Sequence, residues 1–413
     1  MRVLALDPLF LGDASNWEIL WIVLIKVVVA FVALLVSVML MIWWERKLIS
    51  DMQNRIGPNR AGPFGILQTL ADGIKLFFKE DLVPDQSDRF VFKLAPYLSL
   101  VPAFLVFAVI PVGGDFSEGG DGTVTWFGIE TYAQVADPHM GVLFVLAMSS
   151  IAVYGIMLAG WSSGSKYPLL GSVRASAQMV SYEAALGLAL VAVLLKMGSL
   201  STHDIAVSQA GNFDIDSLSD WGLLATGLVP FVIFFIAVTA ELNRPPFDLV
   251  EAEQELVGGF HTEYSSLRFA LFFLAEFMNV ITMSAFMVTL FFGGPAGPDL
   301  GVLPAGLWGF VWFFLKLFVF VSVFIWMRAT LPRLRYDQLM DLGWKVLIPL
   351  ALGWVMLLAT LDVFADRGQS GFWWRLLVAG VFITGAALLA GLLVAAVRTS
   401  ARRRERDGEE VFG

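Results

Sequence analysis

Residues 221–240 read WGLLATGLVPFVIFFIAVTA, a run of twenty positions without a single charged side chain. A helix needs ~20 apolar residues to cross the ~30 Å hydrocarbon core of a bilayer, so this run predicts a transmembrane segment. The segment is expected to be helical, because each backbone amide left unpaired in lipid costs several kcal/mol. The fold therefore depends on how often the chain repeats such a run.

The whole composition follows the same pattern, with 58% hydrophobic and only 15% charged residues and a mean hydropathy of +0.75. This balance excludes a water-soluble domain of 413 residues. Apolar runs long enough to span occur about nine times. Their approximate limits are 17–44, 94–112, 140–161, 175–197, 221–240, 268–292, 304–327, 345–361 and 373–397. We expect an all-α integral membrane protein with about nine transmembrane helices.

The distribution of lysine and arginine indicates the orientation of these spans. Basic residues concentrate in alternate connections, above all in residues 45–93 and in the tail 398–413. The segments 113–139, 198–219 and 293–303 contain none. By the positive-inside rule, residues 1–16 lie outside, in the periplasm, and the basic tail lies in the cytoplasm.

The chain has few residues able to hold a redox centre. It contains no cysteine, which excludes disulfides, thiolate metal sites and cysteine-bound iron–sulfur clusters. Its three histidines, His139, His203 and His261, all lie away from the centres of the spans, which excludes paired axial haem ligands. We expect no haem, iron–sulfur cluster or metal in this chain.

An acidic segment follows the charge-free run on the inner side of the membrane. Residues 241–256, ELNRPPFDLVEAEQEL, contain a single cation, Arg244, and five carboxylates: Glu241, Asp248, Glu251, Glu253 and Glu255. A solvated loop is the simplest interpretation. The interleaved apolar residues favour a second one, in which the segment packs against the helices and its carboxylates become coupled and take up protons.

Three further ionisable residues interrupt the spans themselves. Glu183 and Glu276 lie ~12–14 Å from the inner surface at ~1.5 Å per helical residue, and Lys316 lies ~18 Å from it. Each costs ~2.5–3.5 kcal/mol to insert, which favours a function such as a proton relay in the inner half of the membrane. Lys26 and Lys196 lie near the outer ends of their spans and are expected to be structural.

The inner connection also contains a candidate amphipathic helix, FGILQTLADGIKLFFKE, residues 64–80. Its apolar residues form one stripe, and Gln68, Asp72, Lys75 and Lys79 form another. Such a helix either lies in the membrane interface or borders an opening through which an amphiphile enters from the bilayer. The pattern does not separate these two interpretations.

Two long motifs, GILQTLADGIKLFFKE (65–80) and PFDLVEAEQELVGG (246–259), resemble the H-type membrane subunits of bacterial respiratory complex I, the proton-translocating NADH:quinone oxidoreductase. The resemblance runs from Trp17 to Leu361 and implies an eight-helix core over 17–361, with a quinone-entrance loop at 45–93 and an acidic loop at 241–267. The span within 362–397 departs from this pattern as an additional C-terminal helix.

The resemblance implies that the chain forms the membrane part of a quinone chamber. The residues implied for that chamber are Arg46, Arg55, Asp72, Phe272, Phe273 and Arg328. A proton path toward antiporter-like subunits is implied for Glu183, Glu241, Asp248, Glu251, Glu253, Glu255, Glu276 and Lys316. The implied substrate is a quinone, either ubiquinone or menaquinone.

The resemblance also implies the setting in which the chain works: as a subunit of a respiratory-chain oxidoreductase in the bacterial cytoplasmic membrane. Its implied partners are peripheral-arm subunits at the quinone site, small membrane subunits, antiporter-like subunits and membrane lipid, with no nucleic acid. Two alternatives are the membrane subunit of an energy-converting hydrogenase and a free-standing secondary transporter. The absence of an internal sequence repeat counts against the transporter.

Overall fold

The structure is a computed structural model, and it describes most of the chain. Described are residues 7–12, 15–116, 120–210, 221–249, 256–298 and 304–366, together with the single positions 380, 384, 385 and 391. Helices dominate these residues, and their one sheet is a short antiparallel hairpin of β1 (Thr123–Trp126) and β2 (Ile129–Tyr132) in the connection 108–140. We name the side of the bundle that carries this hairpin the outer side and the opposite side the inner side, after the orientation predicted from the basic residues. The predicted all-α membrane fold is confirmed.

The bounds of the helices are α1 Asn16–Met52, α2 Gln68–Phe77, α3 Arg89–Phe107, α4 Gly141–Ser162, α5 Lys166–Met197, α6 Thr202–Ser208, α7 Gly222–Ala225, α8 Leu228–Glu241, α9 Ser266–Phe291, α10 Ala305–Thr330, α11 Tyr336–Asp341 and α12 Ile348–Asp366. The helices are joined by connections of very different length, the longest of which follow α3 and α8. A π-helical turn, Leu342–Leu347, joins α11 to α12. Within the described residues, seven helical segments are long and apolar enough to cross a membrane.

The run 221–240, predicted as one transmembrane helix, is interrupted instead. It divides into α7 and α8 at Gly227, whose φ of 81° lies in the left-handed region that favours glycine. The indole Nε1 of Trp354 donates to the carbonyl of Thr226 at this break, at 2.9 Å. The fourteen residues of α8 span ~21 Å, less than the hydrocarbon core. The prediction of a continuous helix here was wrong, because the freed backbone finds a partner inside the protein.

The predicted ninth span, 373–397, lies almost entirely outside the described residues, as do the tail 398–413 and half of residues 1–16. The additional helix and the two terminal segments therefore stay predictions.

A buried amide side chain closes the outer end of the helix bundle. Gln209, fully buried, donates from Nε2 to the carbonyl of Thr289 at 3.0 Å. Its Oε1 accepts from the backbone N–H groups of Gly222 (2.8 Å) and Gly293 (3.1 Å). One side chain thus satisfies the backbone where α6, α7 and the end of α9 meet, at a depth where solvent cannot do so.

On the inner side, α2 lies against the bundle through its polar groups. Ser266, at the start of α9, donates to the carbonyls of Leu76 (3.0 Å) and Lys79 (2.7 Å) at the end of α2. The apolar residues Ile74 and Phe77 of α2 are exposed. This helix therefore presents its apolar face away from the bundle and its polar face toward α1 and α9. It covers fewer residues than the amphipathic helix predicted over 64–80.

We expect Gln209→Leu to lower the stability of the chain. The substitution leaves two N–H groups and a carbonyl buried without their partner, at about 1–3 kcal/mol each. The melting temperature in detergent, followed by tryptophan fluorescence, should fall by about 5 °C or more. Gln86→Leu, at an exposed position, is the control, and equal melting temperatures for the two variants would contradict the role given to Gln209.

Candidate functional site

A wide cavity of about 500 Å³ opens on the inner side between α1, α9, α10 and the connection after α1. Its lining residues are Ile42, Glu45, Arg46, Ile49, Ser50, Arg55, Ile56, Gly57, Pro58, Phe273, Phe277 and Arg328. The volume lies in the range of about 300–1,000 Å³ that is typical of small-molecule sites. Four of the six residues implied for a quinone chamber therefore meet at one cavity.

The wall of the wide cavity combines cations with aromatic rings. Arg46 is paired with Asp72 of α2 at 2.7 Å, which places a fifth implied residue directly behind the wall. Arg328 is paired with Glu45. The rings of Phe273 and Phe277, one helical turn apart on α9, have centroids 4.6 Å apart. Such a wall can contact a flat apolar ring while arginine donors bind its polar oxygens.

The second site is a smaller acid cavity enclosed by α3, α4, α5, α8 and α9. It has a chamber of about 50 Å³ containing Glu241, Glu276 and His261, and an adjoining chamber of about 20 Å³ containing Glu241 and Thr282. Asn279 lines both chambers. One water needs about 10–15 Å³ of such volume, so the acid cavity has room for a short file of water molecules.

Two neighbouring serines on α4 each contact one of two acids in this region. Ser149 donates to Oε1 of Glu241, and Ser150 donates to Oε1 of Glu183. Each hydroxyl can both donate and accept, so each serine can exchange a proton with its own carboxylate. Sequence reasoning missed these serines. The signal available to it was a pair of adjacent hydroxyl residues inside the apolar run 140–161.

The adjacent residues Phe272 and Phe273 do not face the same cavity. Phe273 lines the wide cavity, whereas Phe272 is buried and lines the acid cavity. Phe272 packs edge-on against Phe260 and Tyr264, with ring centroids 5.3 and 5.0 Å apart. The structure thus does not bring Phe272 together with the other implied chamber residues, and its contact with quinone stays a prediction.

Arg244 lies between the two cavities and is 4% exposed. Its Nη1 is 3.5 Å from both carboxylate oxygens of Glu45, a residue of the wide cavity. Its Nη2 is 3.3 Å from Oε1 of Glu276, a residue of the acid cavity. Its guanidinium carbon lies 4.5 Å from the ring centroid of Phe277. A continuous row of ion pairs therefore runs from Arg328 through Glu45 and Arg244 to Glu276.

The remaining implied proton-path residues are dispersed. Asp248 is buried and paired with Arg333 at 3.1 Å. Lys316 donates to the carbonyls of Phe292, Gly294 and Ala296 (2.7, 3.0 and 2.6 Å) beyond the end of α9, on the outer side and away from the acid cavity. Glu251, Glu253 and Glu255 lie outside the described residues. The roles of these residues stay predictions.

The two lysines expected to be structural both have carboxylate partners. Lys26 is paired with Asp7 at 2.9 Å, and Lys196 is paired with Asp362. These contacts satisfy both ammonium groups near the outer ends of α1 and α5, and the structural role of the two lysines stays a prediction.

His261, in the 3₁₀ turn Gly259–His261, is a further residue of the acid cavity that sequence reasoning did not select. Its ring is enclosed by Phe260 and Phe269, at centroid distances of 4.0 and 5.8 Å. Burial lowers the pKa of His261 to about 4, because the charged imidazolium is poorly solvated there. The histidine is therefore neutral at physiological pH.

Comparison with known proteins identifies the family. The NADH dehydrogenase family model matches residues 25–359, most of the chain. The chain belongs to this family. The H subunit of NADH-quinone oxidoreductase from Frankia casuarinae is 48% identical over 396 residues, covering 94% of this chain and 82% of that protein. Its counterpart from Frankia alni is 51% identical over 377 residues, covering 90% of this chain and 79% of that protein.

The family and relatives agree with the resemblance drawn from the two long motifs. They confirm the predicted family, and with it the prediction that the chain is a subunit of an oxidoreductase. Both relatives are quinone oxidoreductase subunits, which favours this interpretation over the energy-converting hydrogenase and the free-standing transporter.

We expect His261 to reduce the stability of the chain in acid. The unfolded chain binds this proton near pH 6.5, whereas the folded chain binds it only near pH 4. The unfolded state thus holds more protons between these values, so the free energy of unfolding falls as the pH decreases through this window. The loss is up to about 3 kcal/mol.

His261→Gln removes this titration, so the variant should lose less stability than the unchanged chain between pH 6.5 and pH 4. Denaturant unfolding in detergent at a series of pH values measures the difference. His139→Gln, at an exposed position, is the control. Identical pH dependence with and without His261 would show that its burial does not govern the acid response.

Proposed function

We propose that the chain forms the membrane part of the quinone chamber of a proton-translocating NADH:quinone oxidoreductase. In this proposal the wide cavity admits the quinone, and the acid cavity passes charge or protons from the quinone site toward antiporter-like subunits. The chain contributes binding and proton-handling groups, while electrons reach the quinone from redox centres on partner subunits. The proposal takes the quinone as the substrate in common with the two Frankia relatives.

The observation that supports this proposal most strongly is the position of α9 between the two cavities. Phe273 and Phe277, four residues apart, lie on the stripe that faces the wide cavity. Phe272 and Glu276, also four residues apart, lie on the neighbouring stripe that faces the acid cavity. Positions four apart share a helix face, so the wall of one cavity is also the wall of the other. A ligand and a proton-binding group can therefore interact through a single layer of side chains.

The strength of the interaction between a charge in the wide cavity and a carboxylate in the acid cavity follows from Coulomb's law. One unit of negative charge at ~10 Å, in a medium with an effective dielectric constant of ~20, changes the energy of a neighbouring charge by ~1.7 kcal/mol. This corresponds to somewhat more than one pKa unit. Reduction of a quinone in the wide cavity would therefore favour protonation of a carboxylate in the acid cavity. The effect is large enough to change which acid holds a proton.

The contacts suggest an order for the proton path. Glu276 and Glu241 both line the larger chamber of the acid cavity. Glu241 accepts a hydrogen bond from Ser149, and Glu183 accepts one from the adjacent Ser150, so the proposed path passes from Glu241 to Glu183 beside these two serines. This path moves protons laterally between α9, α8, α4 and α5 within the inner half of the membrane. Such a direction suits delivery to a neighbouring membrane subunit rather than release across the bilayer.

The setting follows from the same proposal. The chain lies in a bacterial cytoplasmic membrane as a multi-pass protein, with its amino terminus outside and its carboxyl terminus in the cytoplasm. The wide cavity then faces the side on which a peripheral arm binds. Partners in this proposal are the peripheral subunits of the quinone site, the small membrane subunits and the antiporter-like subunits.

We expect Phe273→Ala to raise the KM of the assembled complex for quinone. The substitution removes an aromatic contact worth about 1 kcal/mol, which corresponds to a roughly fivefold rise in KM. NADH oxidation with a soluble quinone analogue measures the change. Phe127→Ala, on the exposed outer hairpin, is the control and should leave KM unaltered. A KM equal to that of the control would show that Phe273 does not contact the quinone.

We expect Glu183→Gln and Glu241→Gln to lower the number of protons pumped per electron. Glutamine keeps the size of each side chain but cannot take up a proton, so the ratio should fall about twofold or more. Proton uptake by inverted membrane vesicles during NADH oxidation measures it. Glu130→Gln, on the outer hairpin, is the matched control. An unchanged ratio in both variants would refute the relay.

The alternatives differ in activities that are simple to measure. A free-standing transporter would move ions in liposomes that contain this chain alone, whereas the proposed subunit requires its complex. A hydrogenase membrane subunit would belong to a complex that does not oxidise NADH with a quinone acceptor. Purifying the intact complex and assaying that reaction distinguishes the proposed subunit from a hydrogenase subunit, and the liposome assay distinguishes it from a transporter.

A further inference from the structure

We propose that Arg244 is the positioning residue that transmits charge between the two cavities, by sharing its guanidinium between Glu45 and Glu276. The inference rests on the proposed function, because it assumes that a negative charge arrives in the wide cavity. It names the side chain through which a negative charge in the wide cavity acts on the carboxylates of the acid cavity.

The contacts of Arg244 are divided between the cavities. Nη1 lies 3.5 Å from both oxygens of Glu45, and Nη2 lies 3.3 Å from Oε1 of Glu276. The planar guanidinium presents these donors in a rigid fork, so movement toward one carboxylate carries the whole group away from the other. The guanidinium of Arg244 also makes a cation–π contact with the ring of Phe277, which borders the wide cavity. This contact gives Arg244 a defined position beside both cavities.

The charges around Arg244 determine the direction of the effect. Glu45 of α1 is shared with a second cation, Arg328 of α10, on the side of the wide cavity. On the other side, Glu276 of α9 shares the acid cavity with Glu241. An anionic ligand in the wide cavity attracts Arg328 and Arg244 toward itself. Glu276 then loses part of its stabilising cation, and its affinity for a proton rises.

Low solvent exposure strengthens the electrostatic interactions of Arg244. Arg244 and Glu45 are each less than a tenth exposed, so water screens their interaction weakly. Glu45 contacts both Arg328 and Arg244, and Arg244 contacts both Glu45 and Glu276. The row therefore has two arrangements in this proposal, with the guanidinium of Arg244 closer to Glu45 or closer to Glu276. Occupancy of the wide cavity then selects between these arrangements.

The test measures protons pumped per electron separately from quinone reduction. Arg244→Gln is compared with the unchanged chain in the assembled complex, in inverted membrane vesicles. If Arg244 transmits the charge, the ratio falls about twofold or more while NADH:quinone turnover continues. Arg244→Lys keeps the charge but lacks the fork, so it should give an intermediate ratio. A purely structural role would lower the amount of complex and leave the ratio of the remaining complex unaltered.

A matched control is available on the same side of the membrane. Arg268 is paired with Asp81 at 3.0 Å and lies over the ring of Phe92, so it has the same kinds of contact but lines neither cavity. Arg268→Gln should leave the ratio unaltered. The double variant Glu45→Gln with Arg244→Gln removes one charge of each sign and keeps the charge balance, which gives a second route to an assembled complex.

The outcomes separate the two proposals. A lower ratio in Glu241→Gln and Glu183→Gln, combined with an unaltered ratio in Arg244→Gln, Arg244→Lys and the double variant, would overturn the role of Arg244 alone. An unaltered ratio in the glutamate variants would overturn the relay itself. A lower ratio in the arginine and glutamate variants, with Arg268→Gln unaffected, is the expected result.

Discussion

The inner half of this protein depends on one constraint: a buried arginine there needs a carboxylate partner. The row Arg328–Glu45–Arg244–Glu276 meets this constraint across three transmembrane helices and the acidic loop. Removing one partner from such a buried pair typically costs about 3–5 kcal/mol, so the row holds α1, α9 and α10 in a fixed relation. The same row borders both cavities, which makes one set of contacts responsible for structure and for communication.

In the outer half, beside the ion pairs Lys26–Asp7 and Lys196–Asp362, side chains that bind backbone groups hold the segments together. Gln209 binds the backbone of three segments, Trp354 satisfies the break before α8, and Lys316 binds carbonyls beyond α9. These contacts close the bundle on that side, because each donor is committed to a fixed carbonyl. Ionisable groups with alternative partners are concentrated on the inner side. The asymmetry suits a protein that receives a ligand from one side and passes protons sideways.

Much of this organisation could be predicted from the sequence, and its failures have physical causes. Hydropathy located most spans, and the two long motifs identified the family, because both signals are local in the chain. The break at Gly227 escaped prediction because its partner, Trp354, lies more than a hundred residues away. The resemblance also implied one chamber for Phe272 and Phe273, but the two residues face different cavities. They differ by one position on α9, which corresponds to about 100° around the helix. Contacts of Arg244 and Ser149 depend on the packing of distant helices, which no local pattern encodes.

The central claim is that charge arriving in the wide cavity changes protonation in the acid cavity. The most direct measurement is redox-induced infrared difference spectroscopy of the assembled complex, which detects the carbonyl stretch of protonated carboxyl groups. The account predicts that a carboxyl band changes on quinone reduction and that Glu276→Gln removes or shifts it. Spectra that are identical in this region with and without Glu276, or a spectrum with no carboxyl change at all, would contradict it.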